Sequence, residues 1–189
     1  MKKNLIIIFL GPDGSGKSTS INYLIEYFKK KKIHYKYIHL RPRVFKHGEK
    51  PVTNPHGKMP RSNFMSFVKL IYWLFLFKFY FFLINFTKKK IYVFDRYPHD
   101  ILIDPLRYRF QLNKNITLYL LNFLPSPHLW INVCGNPKAI WRRKKEIKLS
   151  VTKKQLKLYK KFFNNKINMI EIKNKNDYLK IIKYLHGKI

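Results

Sequence analysis

Short apolar runs alternate with longer stretches along the chain. The apolar runs have the length of strands, whereas most of the intervening stretches have the length and composition of helices. Strands that are apolar throughout and separated by helices are typical of a parallel sheet covered on both faces. We therefore predict an α/β fold of three layers with a mainly parallel, five-stranded sheet. Its predicted strands are Leu5–Leu10, Ile33–Leu40, Ile91–Phe94, Leu129–Val133 and Ile167–Ile172.

The predicted helices lie between these strands or after the last of them. No repeat and no long linker separates the 189 residues into parts, so we predict a single domain over 1–189 with an irregular, proline-rich loop over 41–62. The predicted helices are Lys17–Lys29, Asn63–Phe86, a segment within Pro105–Phe123, Lys138–Ile147, Lys153–Asn164 and Asp177–Leu185, with Asn176 as the cap of the last.

The charge is strongly basic, with 40 Lys and Arg against 9 Asp and Glu and a net charge of +31. Such a surface attracts nucleic-acid backbones. The lysines, however, run together with Asn, Ile, Phe and Tyr over the whole chain, which is typical of an AT-rich genome. We interpret most of them as solvated surface and do not expect nucleic acid as a partner. The scarcer arginines and acids are therefore more informative about a functional site.

Cysteine and histidine indicate no metal site. The single cysteine, Cys134, excludes an intramolecular disulfide and is compatible with a reducing compartment. The seven histidines have no metal-ligand spacing, so we expect them at the surface or in loops. The apolar N-terminal run is short and leads into a glycine loop instead of a cleavage site, so we interpret it as a buried strand of a cytoplasmic protein.

The segment GPDGSGKS, at 11–18, fits the phosphate-binding pattern G-x-x-x-x-G-K-[ST]. It follows a predicted strand and opens a predicted helix, which is the context that this pattern requires. Glycines let successive backbone amides point at phosphate oxygens, Lys17 reaches the β- and γ-phosphates, and the Ser18 hydroxyl binds Mg²⁺. The guanine signature N-K-x-D is absent, so we predict ATP and Mg²⁺. The predicted ATP-binding residues are Gly11, Asp13, Gly14, Ser15, Gly16, Lys17, Ser18 and Thr19.

A second informative segment ends the third predicted strand with Asp95-Arg96-Tyr97. An acid at the carboxyl edge of a parallel sheet can bind Mg²⁺ or accept a proton from an attacking hydroxyl. The alternative is an ion pair that only stabilises the end of the strand. The nearby phosphate-binding loop favours the functional interpretation, with Ser18 and Asp95 as the metal-binding residues.

Together these motifs resemble the thymidylate kinase group of nucleoside monophosphate kinases. The resemblance is greatest to the thymidylate kinase-like proteins found with bacterial surface-polysaccharide genes, and it covers most of the chain. The segments that carry it are GPDGSGKST at 11–19, PHGKMPRS at 55–62, FDRYPHDILIDPLRYR at 94–109 and RKKE at 143–146. The resemblance implies an ATP- and Mg²⁺-dependent phosphotransferase of the P-loop fold.

The resemblance also implies roles for individual residues. Asp13 is expected to face the acceptor's sugar hydroxyl, Arg96 to bind phosphate, Arg41 to bind the acceptor phosphate, and Arg143 to lie in a mobile lid over about 142–152. A solvated charged helix face is the alternative for that last segment. The catalytic residues expected are Lys17, Asp95, Arg96 and Arg143.

The acceptor is the part that the resemblance does not determine. Thymidylate kinases usually have an acid where this chain has Leu10, and a Ser-Ser-x-x-Tyr-Gln type segment where it has PHDILID. We expect a more hydroxylated acceptor than thymidylate, although a structural ion pair from Arg107 to Asp104 or Asp100 is the alternative. The predicted acceptor-binding residues are Asp13, Arg41, Arg96, Asp100, Asp104 and Arg107.

Two other functions remain open from the sequence. One is a kinase that acts on a sugar or lipid-linked glycan precursor in surface-polysaccharide synthesis. The other is a protein of a different class, in which bound nucleotide controls association with nucleic acid or an anionic membrane.

The aromatic segment Phe64–Phe86 is long enough to cross a bilayer, but Lys69 and Lys78 divide it, and a central lysine costs roughly 2.5 to 3.5 kcal/mol on insertion. A span there would also separate the later strands from the glycine loop, so we expect none. Such a helix is too apolar to be covered along one stripe. We expect it to form a homodimer face or to contact a membrane surface.

Overall fold

Five strands form one all-parallel sheet in the order β2-β3-β1-β4-β5. The structure is a computed structural model that describes residues 4–40, 42, 59–88, 90–164 and 166–188. The strands are β1 (Leu5–Leu10), β2 (Tyr35–His39), β3 (Ile91–Asp95), β4 (Leu129–Val133) and β5 (Met169–Ile172). The α/β fold and the five strands that we predicted are confirmed, with β2 and β5 starting two residues later than expected.

The central strand β1 is buried on both faces, which explains its unbroken aliphatic sequence. Ile6, Ile8 and Leu10 belong to one hydrophobic core, whereas Ile7 and Phe9 belong to a second core on the opposite face. The edge strand β2 is different, because only Ile38 in it is buried. Burial therefore decreases from the centre of the sheet to this edge.

Helices cover both faces and make the second and third layers. The helix α1 and the helix α6 pack on the core that contains Ile7, and α2, α3 and α5 pack on the core that contains Ile8. The helices are α1 (Lys17–Lys30), α2 (Asn63–Ile84), α3 (Lys114–Leu121), α4 (Pro137–Arg143), α5 (Leu149–Phe163) and α6 (Tyr178–His186).

Several helix ends differ from the prediction. The segment predicted as one helix over Lys138–Ile147 stops at Arg143, where Lys144 turns into extended backbone. Helix α5 then begins at Leu149, four residues before the predicted start. The cap predicted at Asn176 is wrong: the Asn174 side chain accepts from the Asn176 amide and caps a 3-10 turn that leads into α6.

The segment after β3 contains two 3-10 turns, Pro98–Leu102 and Leu106–Tyr108, before α3 begins. The helix predicted within Pro105–Phe123 is therefore confined to α3. Because parallel strands all end at one edge of the sheet, the turn after β3 lies beside the loop after β1, and the candidate site forms there.

Helix α2 has the length and the apolar composition of a membrane span, with a mean hydropathy of 1.9. One of its faces packs on the sheet, where Phe77 and Tyr80 contact Phe94 of β3 at ring-centroid distances of 6.1 and 6.2 Å. The other face is exposed to solvent. One face of this helix therefore belongs to the hydrophobic core, along most of its length.

Candidate active site

The glycine loop at 11–16 connects the buried end of β1 to α1, as the motif predicted. Gly11 has a φ of +149°, and a Cβ added there would lie 2.2 Å from the Val133 carbonyl oxygen. Only glycine lets the loop approach β4 this closely. The close approach places the loop at the carboxyl edge of the sheet.

The start of α1 is open toward solvent. Gly16 precedes the helix with a φ of +97°, and a Cβ added there would contact nothing within 4 Å. The first turn contains no acid that could pair with its free amides. These amides and the positive end of the helix dipole therefore face an open space that holds no negative side chain of this turn. Such a helix start binds anions, phosphate among them.

Lys17 lies in the first turn of α1 with only 7% of the residue exposed. Its ammonium donates to the carbonyl oxygens of Gly11 and Pro12, at 2.6 and 2.8 Å. Burial, and after it the charge of Arg96, lower the Lys17 pKa to about 7 against the opposing effect of Asp13. The cation is thus held inside the loop in surroundings that lack enough negative charge, and an added phosphate would supply that charge.

Asp95 ends β3 and is buried beneath this loop. Its Oδ2 accepts from the Tyr37 hydroxyl at 3.2 Å and lies 3.1 Å from Nδ1 of His39. Burial opposes the negative charge, but the hydrogen bond with His39 and the charge of Lys17 outweigh it and hold the Asp95 pKa below its usual range. Its Oδ1 is buried and has no hydrogen-bond partner among the described residues. One carboxylate oxygen is therefore held by β2, and the other is available to a ligand.

Arg96 joins the glycine loop to the segment after β3. Its backbone has a φ of +84°, which is unfavourable for a side chain of this size. The guanidinium donates to both Asp13 and Asp100, and Asp13 also accepts from Arg107. We call Asp13, Arg96, Asp100 and Arg107 the ion-pair cluster. Its cations outweigh the burial of Asp13 and hold the pKa of that carboxyl well below its usual range.

Asp100 is completely buried behind Arg96. Its carboxylate accepts from Arg96, from the Tyr108 hydroxyl at 2.8 Å and from the Tyr159 hydroxyl of α5. The Asp100 carboxylate therefore holds the Arg96 guanidinium in place, and it does not line the pocket. The structure places Asp100 behind Arg96, and the acceptor-binding role predicted for it stays a prediction.

The other predicted acceptor residues are placed differently. Arg107 pairs with Asp13, and not with Asp104 or Asp100 as the sequence had suggested. Asp104 accepts from the backbone amide of Arg107 at 3.3 Å and does not line the pocket. Arg41 lies outside the described residues, as does most of the irregular loop predicted over 41–62.

Arg143 is at the end of α4 and donates from Nη1 to the Gly14 carbonyl oxygen at 3.2 Å. Lys144 follows it, with its ammonium 3.8 Å from Asp13 and 3.3 Å from Glu146. The basic segment predicted as a lid therefore lies beside the glycine loop. This position agrees with a role in covering a bound phosphate.

The glycine loop, the end of β3 and the end of α4 surround a pocket of about 450 Å³ at the carboxyl edge of the sheet. A second cavity of about 220 Å³ adjoins it on the side of β5 and shares Gly16, Thr19 and Arg143 with it. The lining residues of the larger pocket are Asp13, Gly14, Gly16, Lys17, Ser18, Thr19, His39, Asp95, Arg96, Arg107, Arg143 and Lys144.

Sequence reasoning missed several residues of the site. His39 is exposed, as expected, but the contact of its ring with Asp95 was not foreseen. His99 was also expected at the surface or in a loop, and it is buried against Tyr97 instead. Tyr37 and Tyr159 were not singled out at all. Only the register of β2 beside β3, with His39 opposite Asp95, could have indicated the first contact.

A Mg²⁺ ion fits these residues. Asp95, whose buried Oδ1 has no partner among the described residues, and the exposed residue Ser18 line the same pocket, and both side chains offer the oxygen ligands that Mg²⁺ prefers. Phosphate oxygens of a bound nucleotide complete such a site in other P-loop proteins. Among the described residues no group of three or more His, Cys, Asp or Glu forms a metal site by itself.

The sheet order and the glycine loop at the end of its central strand define the class: this chain has the α/β fold of P-loop kinases. No protein-family model and no curated protein matches the sequence. Solved structures match it over almost its whole length. Thymidylate kinase from Candida albicans is 18% identical, with 98% of this chain and 92% of that chain covered and a TM-score of 0.62.

Deoxyadenosine kinase from M. mycoides is a second similar structure. With bound dATP it is 17% identical, with 97% of this chain and 100% of that chain covered and a TM-score of 0.60. The structure of the same enzyme with the products dCMP and dCDP is 19% identical, with 97% of this chain and 99% of that chain covered and a TM-score of 0.59. At this identity the similarity shows the fold. The predicted resemblance to nucleotide kinases is confirmed at that structural level.

Proposed function

We propose that this chain is an ATP- and Mg²⁺-dependent phosphotransferase that transfers the γ-phosphoryl group of ATP to a small hydroxylated or phosphorylated acceptor. The observation that carries the proposal is the pocket that brings Lys17, Asp95 and Arg96 together at the start of α1. The fold shared with thymidylate and deoxyadenosine kinases supports the reaction class.

The donor nucleotide fits the side of the pocket toward α1. The amides of the loop and the ammonium of Lys17 supply positive charge for the phosphates. The adjoining cavity of about 220 Å³ provides space for the rest of the nucleotide between the loop and the residues after β5. The similarity to a kinase that binds dATP agrees with an adenine nucleotide.

Mg²⁺, when bound, neutralises charge on the β- and γ-phosphates, and Ser18 and Asp95 are the residues that would hold it. The contacts of Tyr37 and His39 to Oδ2 orient the Asp95 carboxylate so that Oδ1 remains available. The negative charge of Asp95 is retained at neutral pH because its pKa is lowered.

The acceptor fits the side of the pocket that contains Asp13, Arg96 and Arg107. The two guanidinium groups bind Asp13 in this structure, and both are forked donors suited to phosphate oxygens. Asp13 can accept a hydrogen bond from an acceptor hydroxyl. Phosphoryl transfer needs little covalent chemistry from the protein, so aligned substrates and nearby cations account for the catalysis.

The test is an ADP-release assay with purified protein, ATP and Mg²⁺ and a panel of acceptors. The panel contains nucleoside monophosphates, deoxynucleosides, sugar phosphates and lipid-linked glycan precursors. We expect ADP formation that depends on one class of acceptor. A slow hydrolysis that no acceptor stimulates, and that polyanions accelerate, would instead support the nucleotide-controlled binding protein.

Thymidylate is expected to be a poor acceptor compared with a more hydroxylated phosphorylated compound. Apart from the His39 ring, the described lining of the large pocket contains no apolar side chain on which the thymine methyl could pack. Its buried polar groups would make fewer hydrogen bonds with an acceptor that has fewer hydroxyls, and such a site discriminates strongly. A kcat/KM for thymidylate on the order of 10⁴ M⁻¹s⁻¹ or higher would overturn this expectation.

The Asp95→Asn variant is expected to lower phosphoryl transfer by about a hundredfold, with the largest loss at low Mg²⁺. Asparagine keeps the shape and the contacts with β2 but removes the charge that holds the metal. The measurement is ADP formation as a function of Mg²⁺ concentration, with Glu26→Gln on the exposed side of α1 as the control. A magnesium dependence equal to that of the wild type would show that Asp95 only stabilises the end of β3.

A further inference from the structure

The outward face of α2 is an exposed apolar stripe. Its residues recur every three or four positions, so they lie along one side of the helix opposite the side that packs on the sheet. Phe64, Phe75 and Phe86 are exposed over 73%, 71% and 73% of their surface. The members of the stripe are Phe64, Val68, Ile71, Tyr72, Phe75, Phe79 and Phe82, and Phe86 in the turn after the helix extends it.

The stripe continues onto α3 and the turn after it. Ile116, Tyr119 and Phe123 are also exposed, and the ammonium of Lys78 on α2 lies 5.6 Å from the centre of the Phe123 ring. Within the two helices, Phe75 stacks on Phe79 and Tyr119 contacts Phe123. We call this continuous surface of α2 and α3 the aromatic face. An exposed apolar surface of this extent marks an interaction site.

The charges around the aromatic face have one sign. The segments 59–90 and 111–128 contain no Asp or Glu, whereas they contain Arg61, Lys69, Lys78, Lys88–Lys90 and Lys114. Lys78 has its amino group over the Phe123 ring of this face, so its alkyl chain adds to the apolar surface while its charge stays near it. Lys69 instead donates from its ammonium to the Tyr108 carbonyl oxygen, over the buried Trp73 ring. A partner for this face must accept both apolar side chains and positive charge.

A second copy of the chain fits this requirement poorly. A symmetric dimer places the same surface against itself, so these cations would face each other without a carboxylate to pair with them. Each copy also carries a net charge of +31. An anionic lipid bilayer offers the complementary charge and an apolar layer within reach of the aromatic rings.

We propose that the aromatic face of α2 and α3 docks this protein on the surface of an anionic lipid bilayer. The helix lies in the plane of the interface, because its inner face is part of the hydrophobic core and stays packed on β3. Its rings enter the boundary between headgroups and acyl chains, and the lysines remain at the headgroups. This docking goes beyond the proposed phosphotransferase and does not depend on it.

The experiment is vesicle co-sedimentation with the full chain. The probes are vesicles of phosphatidylglycerol, of phosphatidylcholine, and of an equal mixture. The test variant is Phe75→Ser/Phe82→Ser, which removes two exposed rings and adds no charge. The control is Leu179→Ser, which removes an exposed apolar residue from α6 on the other face of the sheet. Thermal melting shows whether the variants remain folded, as we expect for exposed positions.

We expect the wild type and Leu179→Ser to bind phosphatidylglycerol vesicles and the mixture, and to bind phosphatidylcholine weakly. The double variant should bind about tenfold more weakly or worse, because two aromatic side chains no longer leave water. Undiminished binding by a folded double variant would overturn the proposal. So would a wild-type dimer in sedimentation velocity that the double variant converts to monomer, without a difference in vesicle binding.

Discussion

Replacing Lys17 by alanine is expected to lower kcat/KM for phosphoryl transfer by about a thousandfold. The ammonium is enclosed by the glycine loop, between two carbonyl oxygens, at the start of α1. It is the buried cation on the donor side of the pocket, and the charge that develops on the transferred group needs it there. The measurement is steady-state ADP formation at saturating acceptor.

The fold is expected to tolerate this change. Burial disfavours the charge of Lys17, as its lowered pKa shows, so removing it does not break an ion pair on which the structure depends. Lys29→Ala, in the exposed last turn of the same helix, is the matched control and should retain activity. A folded Lys17→Ala protein with normal turnover would contradict the phosphotransferase proposal.

Asp100→Asn is expected to lower the free energy of unfolding by about 3 kcal/mol or more. Asp100 is wholly buried and accepts from Arg96, Tyr108 and Tyr159. Without its charge, the buried Arg96 guanidinium loses one of its two carboxylate partners, and an uncompensated buried charge is costly. Urea unfolding followed by circular dichroism measures the loss.

The control for this variant is Glu26→Gln, because it neutralises an exposed acid by the same chemical change. A surface charge of this kind contributes little, so its unfolding free energy should stay close to that of the wild type. Equal stability of Asp100→Asn and Glu26→Gln would show that Arg96 is sufficiently paired by Asp13 alone.

The ion-pair cluster connects two parts of the site. Tyr159 lies on α5, which follows the basic segment at Arg143 and Lys144, whereas Asp13 lies in the glycine loop. The chain of contacts from Tyr159 through Asp100 and Arg96 to Asp13 therefore links α5 to the glycine loop. A ligand that takes Arg96 away from Asp13 would act on both ends of this link.

The sequence alone determined the parts of the protein that depend on neighbouring residues. The glycine loop, Lys17 and Ser18 were predicted because their spacing is local and their chemistry needs consecutive backbone amides. The buried strands were predicted because a strand covered on both faces must be apolar throughout. Asp95 was singled out because it ends such a strand beside that loop.

Only the tertiary structure decided which distant charges meet. Arg107 was predicted to bind the acceptor, with an ion pair to Asp104 or Asp100, its neighbours in the chain, as the alternative; in the structure it binds Asp13, 94 positions away. Asp100 was expected in the pocket and is buried behind Arg96, because Tyr159 reaches it from α5, 59 positions away. The exposed side of α2 is a third example, because the helix is apolar all round and only the packing of one face on β3 decides which face stays exposed.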